Sequence, residues 1–239
     1  ADIREHLNDQ PQLSFFANLD GERFLGVSLT RDYQENVNGI ARTFFGVAEY
    51  SDGYFRPDDD RFAIALYGGQ PAPDARVPIA GEAKFSGFSA GRWIPHNNVA
   101  HWTTSEIEVT VDFDRDQAEL QSSNTRISSN PGQSGSWASQ GDLDFIVGGS
   151  LNGTTNGTHR QIFGSTGANG VELPILSVDG PARGSWHAFF YDENSATETT
   201  GTFSFFRGDS DRGDAYFGAF GARRDPEPEP TPDPEPEPT

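Results

Sequence analysis

The sequence predicts an all-β fold: a small β-rich subdomain at the N-terminus, an eight-stranded antiparallel β-barrel and a disordered Pro- and Glu-rich tail. Two observations carry this prediction. The 239 residues include 19 Phe, 6 Tyr and 4 Trp but no Met, and aromatic residues favour strands over helices. Short segments in which apolar and polar residues alternate recur between Gly, Asp, Asn or Pro turns, which is typical of consecutive antiparallel strands.

The N-terminal strands are predicted within residues 12–67. Three alternating segments there are RFLGVSLT, ARTFFGVAEY and RFAIALYG. The run GGQPAPDARVP then interrupts the pattern, and such a Pro and Gly cluster marks a turn or a junction. We therefore divide the chain into an N-terminal subdomain at residues 1–75 and a barrel at residues 76–225. The segment IREHLNDQ is the helix candidate of note.

The barrel is predicted from a repeat of the same pattern. Its segments are GEAKFSGFSAG, SEIEVTVDFDRDQAEL, GDLDFIVGGSLNGT, RQIFGSTG, GSWHAFFYDE, TGTFSFFRG and DAYFGAFGARR. In the second of these, one face is apolar and the other polar: Ile107, Val109, Val111 and Phe113 alternate with Glu106, Glu108, Thr110 and Asp112. A strand with one core face and one solvent face suits a closed antiparallel barrel and not a buried parallel sheet.

The tail, residues 226–239, reads PEPEPTPDPEPEPT. It contains nothing that could enter a core, so we expect an extended spacer that resembles polyproline and is stiffened by charge. The whole chain has 36 acidic and 17 basic residues and a formal charge of −19. Such a chain repels phosphate backbones, and no basic stripe with interleaved aromatic residues is present, so nucleic acid is excluded as a partner.

Cysteine is absent from the sequence, which excludes disulfides, thiolate metal sites, a cysteine nucleophile and the usual lipid attachment point of a bacterial lipoprotein. A cysteine-free, acidic, aromatic-rich β protein is typical of a bacterial extracellular protein. No run of 18 apolar residues exists, so no transmembrane helix is predicted. The start ADIREHL is interpreted as a mature N-terminus after signal removal. We expect a monomer.

The order of motifs over residues 79–223 resembles the β-barrel of transferrin-binding protein B, factor H binding protein and the hemophilins. GEAKFSG resembles the opening strand of that family, and VTVDFD its valine-rich strand. LDFIVGGSLNGT and FGAFGARR resemble two further strands. The most specific match is GSWHAFFYDENSATETTGTFSF, which resembles the closing pair, with Ala196 and Glu198 placed before Gly201, Thr202 and Phe203.

The resemblance implies a binding protein without catalytic activity. In that family an N-terminal handle usually carries the ligand, which implies a handle at residues 1–75, while the barrel serves as scaffold and as export signal for an outer-membrane exporter. Two departures concern the anchor. The lipid-bearing cysteine is missing, and the acidic spacer follows the barrel, where a lipoprotein carries its anchor before it. Both favour the secreted, hemophilin-like branch.

The favoured binding site is RWIPHNNVAHWTTSE, which places Trp93, His96, His101 and Trp102 in one predicted loop between the first two barrel strands. Haem ligation needs a neutral imidazole beside an apolar pocket, and this loop offers two candidate ligands and two flat aromatic walls. His6 is the alternative if the handle holds the ligand. An ordinary surface loop whose tryptophans pack into the core stays open as the other interpretation.

Other polar clusters are weaker candidates. Asp58–Asp60 and the group of Asp209, Asp211 and Asp214 have oxygen ligands for calcium, but neither completes a calcium-binding loop, and solvated acidic turns are the simpler interpretation. His187 alternates with Trp186 and Ala188 and is predicted to belong to the barrel wall.

No enzymatic signature such as G-x-S-x-G, H-E-x-x-H or a phosphate-binding loop is present, so no catalysis is predicted. Together these observations predict a secreted or surface-exposed bacterial protein that captures haem, or a host iron-carrying protein, for an outer-membrane receptor. The alternative is a carbohydrate-binding or adhesion module joined by the Pro-rich spacer to a secreted partner. In that case Trp93, Trp102, Trp137 and Trp186 would stack on sugar rings.

Overall fold

The structure is a computed structural model that describes residues 13–19, 22–28, 43–50, 62–69, 71–95, 100–129, 137–152, 160–166, 182–191, 196–207 and 214–226. These residues form thirteen strands: β1 (Leu13–Leu19), β2 (Glu22–Ser28), β3 (Thr43–Tyr50), β4 (Phe62–Gly69), β5 (Glu82–Ile94), β6 (His101–Asp112), β7 (Gln117–Ser128), β8 (Ala138–Ser139), β9 (Ile146–Asn152), β10 (Gln161–Ser165), β11 (Arg183–Tyr191), β12 (Glu198–Phe206) and β13 (Ala215–Arg224). Two short 3-10 helices lie at Asp74–Arg76 and Gly141–Leu143, and no α-helix occurs in these ranges. The helix candidate IREHLNDQ and tail residues 227–239 lie outside the described residues.

The strands form two antiparallel sheets. The handle sheet has the order β1-β2-β3-β4, and the second sheet has the order β6-β5-β13-β12-β11-β10-β9-β7-β8, with β6 also paired to β7. The β6–β7 pairing closes eight strands into a barrel, and the two-residue β8 pairs with Arg126 and Ile127 of β7, beyond the part of β7 that pairs with β9. The predicted all-β fold with an eight-stranded antiparallel barrel is confirmed. The boundary between residues 75 and 76 stays a prediction.

Aromatic and branched side chains fill the barrel. On β6 the predicted alternation is confirmed, since Ile107, Val109 and Val111 are buried in the core while Glu106 is exposed. Phe145 lies near the centre of the aromatic contacts, with ring centroids 5.1 Å from Phe203, 4.8 Å from Phe205 and 6.1 Å from Tyr216. Offset and edge-on ring pairs of this kind add to the stabilisation from apolar burial.

One end of the barrel is filled by the connecting segment between the two sheets, residues 71–81. We call this the lower end. Ala72 and Val77 are buried in the barrel core, and the backbone N–H of Ala72 donates to the carbonyl of Phe190 at 2.9 Å. Arg160 fixes the same segment, because its guanidinium donates to Pro78 O at 2.9 Å and its backbone N–H donates to the Asp74 carboxylate at 2.6 Å. The lower end is therefore closed by the chain itself.

The handle sheet packs against the outer face of the barrel. Phe45 and Val47 on β3 are fully buried against Ala90 on β5, Trp102 on β6 and Ala219 on β13. We call these five residues the handle–barrel interface. Removing apolar surface from water is the main favourable contribution to such packing, so the two sheets are held together by a small core of their own.

Candidate functional site

Trp93 and His101 form a stacked pair on the inner face of the barrel. The register of β5 and β6 places Trp93 directly opposite His101. Their ring centroids are 5.3 Å apart at an interplanar angle of 24°. Trp93 packs against the barrel core. The pair lies at the upper end of the barrel, where β5 ends and β6 begins, and opposite to the end that residues 71–81 fill.

The pair presents one neutral ring and one unused donor. Burial, and to a smaller extent the positive charge of Arg92, hold the pKa of His101 below its ordinary value, so the imidazole is neutral at pH 7 and has a lone pair available for a metal or a hydrogen bond. The indole N–H of Trp93 is buried and has no hydrogen-bond partner in the described part of the chain. Buried donors normally find a partner, so this N–H is a point where a ligand atom or water would bind.

A polar layer lies next to this pair, on the inner face of the barrel. Tyr216 is the cross-strand neighbour of Trp93 on β13, and its hydroxyl lies 3.2 Å from the hydroxyl of Ser105. Ser105 in turn contacts Thr125 at 2.8 Å, and Thr125 donates to the carboxylate of Asp144 at 2.6 Å. Burial raises the pKa of Tyr216 to about 12, so the phenol stays protonated. The upper end thus combines two stacked rings with a chain of uncharged hydroxyl groups.

This polar layer depends on a bulge in β7. The register between β6 and β7 shifts between Thr104 and Glu106, and Asn124 has a φ of 53°, a left-handed conformation that asparagine tolerates better than most residues. A bulge adds one residue to one strand and re-aims the side chains beyond it. Here it lets Thr125 as well as Ser122 point inward, where both are buried.

Trp102 lies on the opposite face of the barrel wall from Trp93. It is 1 % exposed within the handle–barrel interface, and the guanidinium of Arg92 lies 4.3 Å from the centroid of its ring. Consecutive residues of a strand face opposite sides, so His101 faces the barrel interior while Trp102 faces the handle. The two tryptophans therefore do not form two walls of one slot.

The predicted loop is also shorter than expected. The structure places Trp93 on β5 and both His101 and Trp102 on β6, so the connection between the strands spans residues 95–100. His96 belongs to that connection and lies outside the described residues, as does His6. Their roles as ligands stay predictions.

The remaining tryptophans do not form a flat exposed platform. Trp186 is 1 % exposed, inside the barrel, and its indole N–H donates to the carbonyl of Gly148 at 3.1 Å. Trp137 is partly buried against the handle–barrel interface. With Trp102 and Trp186 both buried, three coplanar exposed tryptophans are ruled out.

His187 occupies a contact that the sequence did not predict. It lies on β11, as expected for the barrel wall, but its ring points outward to the handle. Its Nε2 is hydrogen-bonded to the hydroxyl of Tyr67 on β4, and its Nδ1 lies 3.1 Å from the hydroxyl of Thr202 on β12. Tyr67 also stacks on Phe189, with centroids 6.1 Å apart. This contact joins residues 120 positions apart, so no local sequence pattern could have indicated it.

Of the acidic residues considered as calcium ligands, only Asp214 lies in the described part of the chain. Asp214 is buried and forms an ion pair with Arg207 at 2.9 Å, and Glu108 pairs with Lys84. Asp58–Asp60, Asp209 and Asp211 fall outside the described residues. In the ranges that the structure describes, no three His, Asp or Glu side chains are grouped to hold a metal ion. None of the elements in these ranges is a helix long and apolar enough to span a membrane.

Comparison with known proteins gives a likeness in fold. No protein-family model matches the chain, and no curated protein matches it. Two crystal structures of transferrin-binding protein B variants from Haemophilus parasuis Hp5 are similar, with TM-scores of 0.53 and 0.52 and identities of 14 % and 15 %. The matched region covers 90 % and 89 % of this chain, and 37 % of the chain of each of the two crystal structures. The intact Ap-TbpB, with N and C lobes, has a TM-score of 0.47 at 15 % identity and covers 90 % of this chain and 38 % of its own.

The chain thus spans just over a third of the length of these solved structures. At such low identity the likeness concerns the fold alone, and because it covers 90 % of this chain, it includes the handle sheet as well as the barrel. The chain therefore shares a β-barrel fold with these structures of transferrin-binding protein B.

Proposed function

We propose that the chain is a secreted or surface-exposed bacterial binding protein that captures an iron-carrying protein and presents it to an outer-membrane receptor. One observation carries this proposal: the fold likeness to transferrin-binding protein B extends over both sheets. By its name that protein binds transferrin. The proposal assigns no catalysis, because the sequence carries none of the catalytic signatures sought above and the solved structures that resemble this chain are of a binding protein.

The test is direct binding of iron-loaded transferrin. The full chain is immobilised and exposed to iron-loaded and iron-free transferrin in turn, at several salt concentrations, in a biolayer interferometry assay. We expect saturable binding that prefers one of the two forms, with a Kd of about 1 μM or tighter, as expected for a specific protein interface. Binding that is equal for an unrelated acidic protein, or that disappears at moderate salt, would contradict the proposal.

Haem is the second candidate ligand, and the stacked pair of Trp93 and His101 favours it. The neutral His101 ring can ligate iron, and Trp93 supplies a flat apolar surface beside it. We expect hemin to give a shifted Soret band with wild-type protein. The shift should be lost in His101→Ala, because this variant removes the imidazole that would ligate the iron, and the Kd should weaken at least tenfold, which corresponds to about 1.4 kcal/mol.

The matched control is His187→Ala, which removes a second imidazole from the same barrel but from its outer face. This variant should keep the Soret shift. His96→Ala tests the other predicted ligand, and a shift that survives both His96→Ala and His101→Ala would exclude this site for haem.

Carbohydrate binding remains the alternative function. The burial of Trp102 and Trp186 leaves Trp93 and Trp137 as the tryptophans with exposed area, so a sugar would stack on one ring at a time. A glycan array with wild-type protein and Trp93→Ala distinguishes the ideas. If a glycan binds in a way that depends on Trp93, and neither hemin nor transferrin binds, carbohydrate binding becomes the favoured function and iron capture is rejected.

A further inference from the structure

The handle sheet ends in an open edge beside the barrel. In the described part of the chain, β4 pairs with β3 alone, at the end of the order β1-β2-β3-β4. Proteins usually protect such an edge with a charged residue, a proline or a bulge, because its free N–H and C=O groups can pair with another chain. β4 reads FAIALYGG, without a charge or a proline, and its register with β3 is unbroken from Thr43 to Tyr50. The edge is therefore open to the addition of a further strand.

The handle strands follow the order of the barrel strands beneath them. β2 contacts β5, β3 contacts β5, β13 and β12, and β4 contacts β13 and β12. β4 also reaches β11 through Tyr67, whose hydroxyl is hydrogen-bonded to His187 and whose ring stacks on Phe189. Neighbouring strands lie about 4.8 Å apart in any sheet, and stacked sheets lie about 10 Å apart. A fifth strand beside β4 would therefore lie over β11 and β10.

The barrel wall presents an exposed aromatic ring at that position. Phe163 on β10 lies directly opposite His187 on β11, and it points outward, because its neighbours Ile162 and Gly164 are buried. Its side chain is 47 % exposed. A strand added to β4 would cover this ring and continue the handle–barrel packing by one strand. The edge thus offers main-chain hydrogen bonds, and Phe163 offers an apolar contact for a side chain, which are the two parts of strand addition between proteins.

The distribution of charge limits what can bind there. The chain has a formal charge of −19, yet β4 and β10 contain no charged residue. The outer face of β5, β6 and β7 differs, since it exposes Glu82, Glu106 and Glu119. A neutral strand can therefore cover β10 without removing a carboxylate from water. Basic residues at the ends of that strand would be attracted by the acidic remainder of the molecule.

We propose that the open edge of β4 and the side chain of Phe163 form a strand-addition site for an extended segment of a protein partner. The segment has apolar residues at every second position, no acidic residue in the part that pairs with β4, and basic residues at its ends. It becomes the fifth strand of the handle sheet and packs on β10. The inference goes beyond the proposed function, because any protein with such a segment fits the site, and its test uses neither transferrin nor hemin.

The test selects a phage-displayed library of random twelve-residue peptides on the full chain and measures the enriched peptides by fluorescence polarisation. We expect alternating apolar residues, more Lys and Arg than Asp and Glu, and a Kd of about 10 μM. Phe163→Asp should weaken binding at least tenfold, because it puts a carboxylate under the added strand. Phe206→Asp is the matched control. Phe206 is also 47 % exposed on the barrel wall, but it lies at the upper end of β12, four residues from the partner of His187, so its variant should bind like wild type.

Two proline variants test the edge itself. Successive N–H groups of a strand point to opposite sides, so one of Ile64→Pro and Ala65→Pro removes an N–H that faces β3, and the other removes one that faces the open edge. Proline is tolerated where the N–H faces solvent, so the variant that keeps the wild-type Tm should lose peptide binding. If neither variant folds, Phe163→Asp against Phe206→Asp decides the matter.

Three results overturn the proposal. The first is a selection that enriches no peptide. The second is peptide binding that is unchanged in Phe163→Asp or in the stable proline variant. The third is a dimer in sedimentation velocity that Phe163→Asp dissociates, because the edge would then belong to a second copy of this chain.

Discussion

Replacing Trp186 with alanine is expected to lower the free energy of unfolding by about 4 kcal/mol, the usual range for removing a buried aromatic side chain. Trp186 is 1 % exposed in the barrel core, and its ring lies against Gly149, Gly164 and Phe220. The two glycines have no side chain that could move into the space, so the cavity would stay open. The carbonyl of Gly148 would also lose the indole N–H that donates to it, which adds the cost of an unpaired acceptor.

The measurement is equilibrium unfolding in urea, followed by far-UV circular dichroism so that loss of the tryptophan does not change the signal. Thermal unfolding should show a fall in Tm of roughly 10 °C. Trp186→Phe is the control, because it keeps most of the ring volume and removes only the N–H, and it should cost less than half as much. Equal costs for Trp186→Ala and Trp186→Phe would show that the hydrogen bond, and not the volume, dominates.

Replacing Gly201 with alanine is expected to destabilise the protein by about 3 kcal/mol, at the upper end of the cost of overpacking a core. Gly201 is opposite Ala188 across β11 and β12. A Cβ on Gly201 would overlap the carbonyl oxygen of His187 and would lie 2.8 Å from Ala188 Cα. Both obstacles are backbone atoms of a paired strand, so relief requires β11 and β12 to separate locally.

The matched control for this prediction is Gly148→Ala, on β9 of the same barrel, where a Cβ would meet nothing within 4 Å. We expect Gly148→Ala to change the free energy of unfolding by less than about 1 kcal/mol, in either direction, since the substitution also lowers the entropy of the unfolded chain. Urea unfolding of the two variants side by side provides the comparison. Equal free energies of unfolding for Gly201→Ala and Gly148→Ala would contradict the close approach of the β11 backbone to Gly201.

The class of fold and most of the strands were predictable because their signals are local. The three N-terminal segments correspond to β2, β3 and β4, and the alternation of Ile107, Val109 and Val111 on β6 gave both the strand and its buried face. β7 was predicted only at its start, AEL. Its second half is rich in Ser, Thr and Asn, because Ser122 and Thr125 line a polar layer in the barrel, and polar inward positions remove the apolar signal on which strand prediction depends.

The candidate site was predicted in part. Trp93 and His101 are neighbours, as the grouping suggested, but the sequence placed them in a loop, because β5 and β6 continue past the last clear apolar alternation. Whether Trp102 shares a surface with Trp93 depends on the register between the two strands, and register is set by the whole sheet and not by local spacing. The pairing of Tyr67 with His187 depends on how the two sheets pack, which no pattern within either strand encodes.

The connecting segment, residues 71–81, determines where the chain can be cut to produce the barrel as a separate fragment. Ala72 and Val77 are part of the barrel core although they precede the first barrel strand, and Asp74 accepts from the backbone of Arg160, just before β10. A barrel fragment cut at Glu82 would open the lower end to water, and a fragment cut at residue 76 would keep Val77 but lose Ala72 and Asp74. Any attempt to produce the barrel alone, or to graft a different handle onto it, should therefore keep the chain from Pro71 onward as part of the barrel.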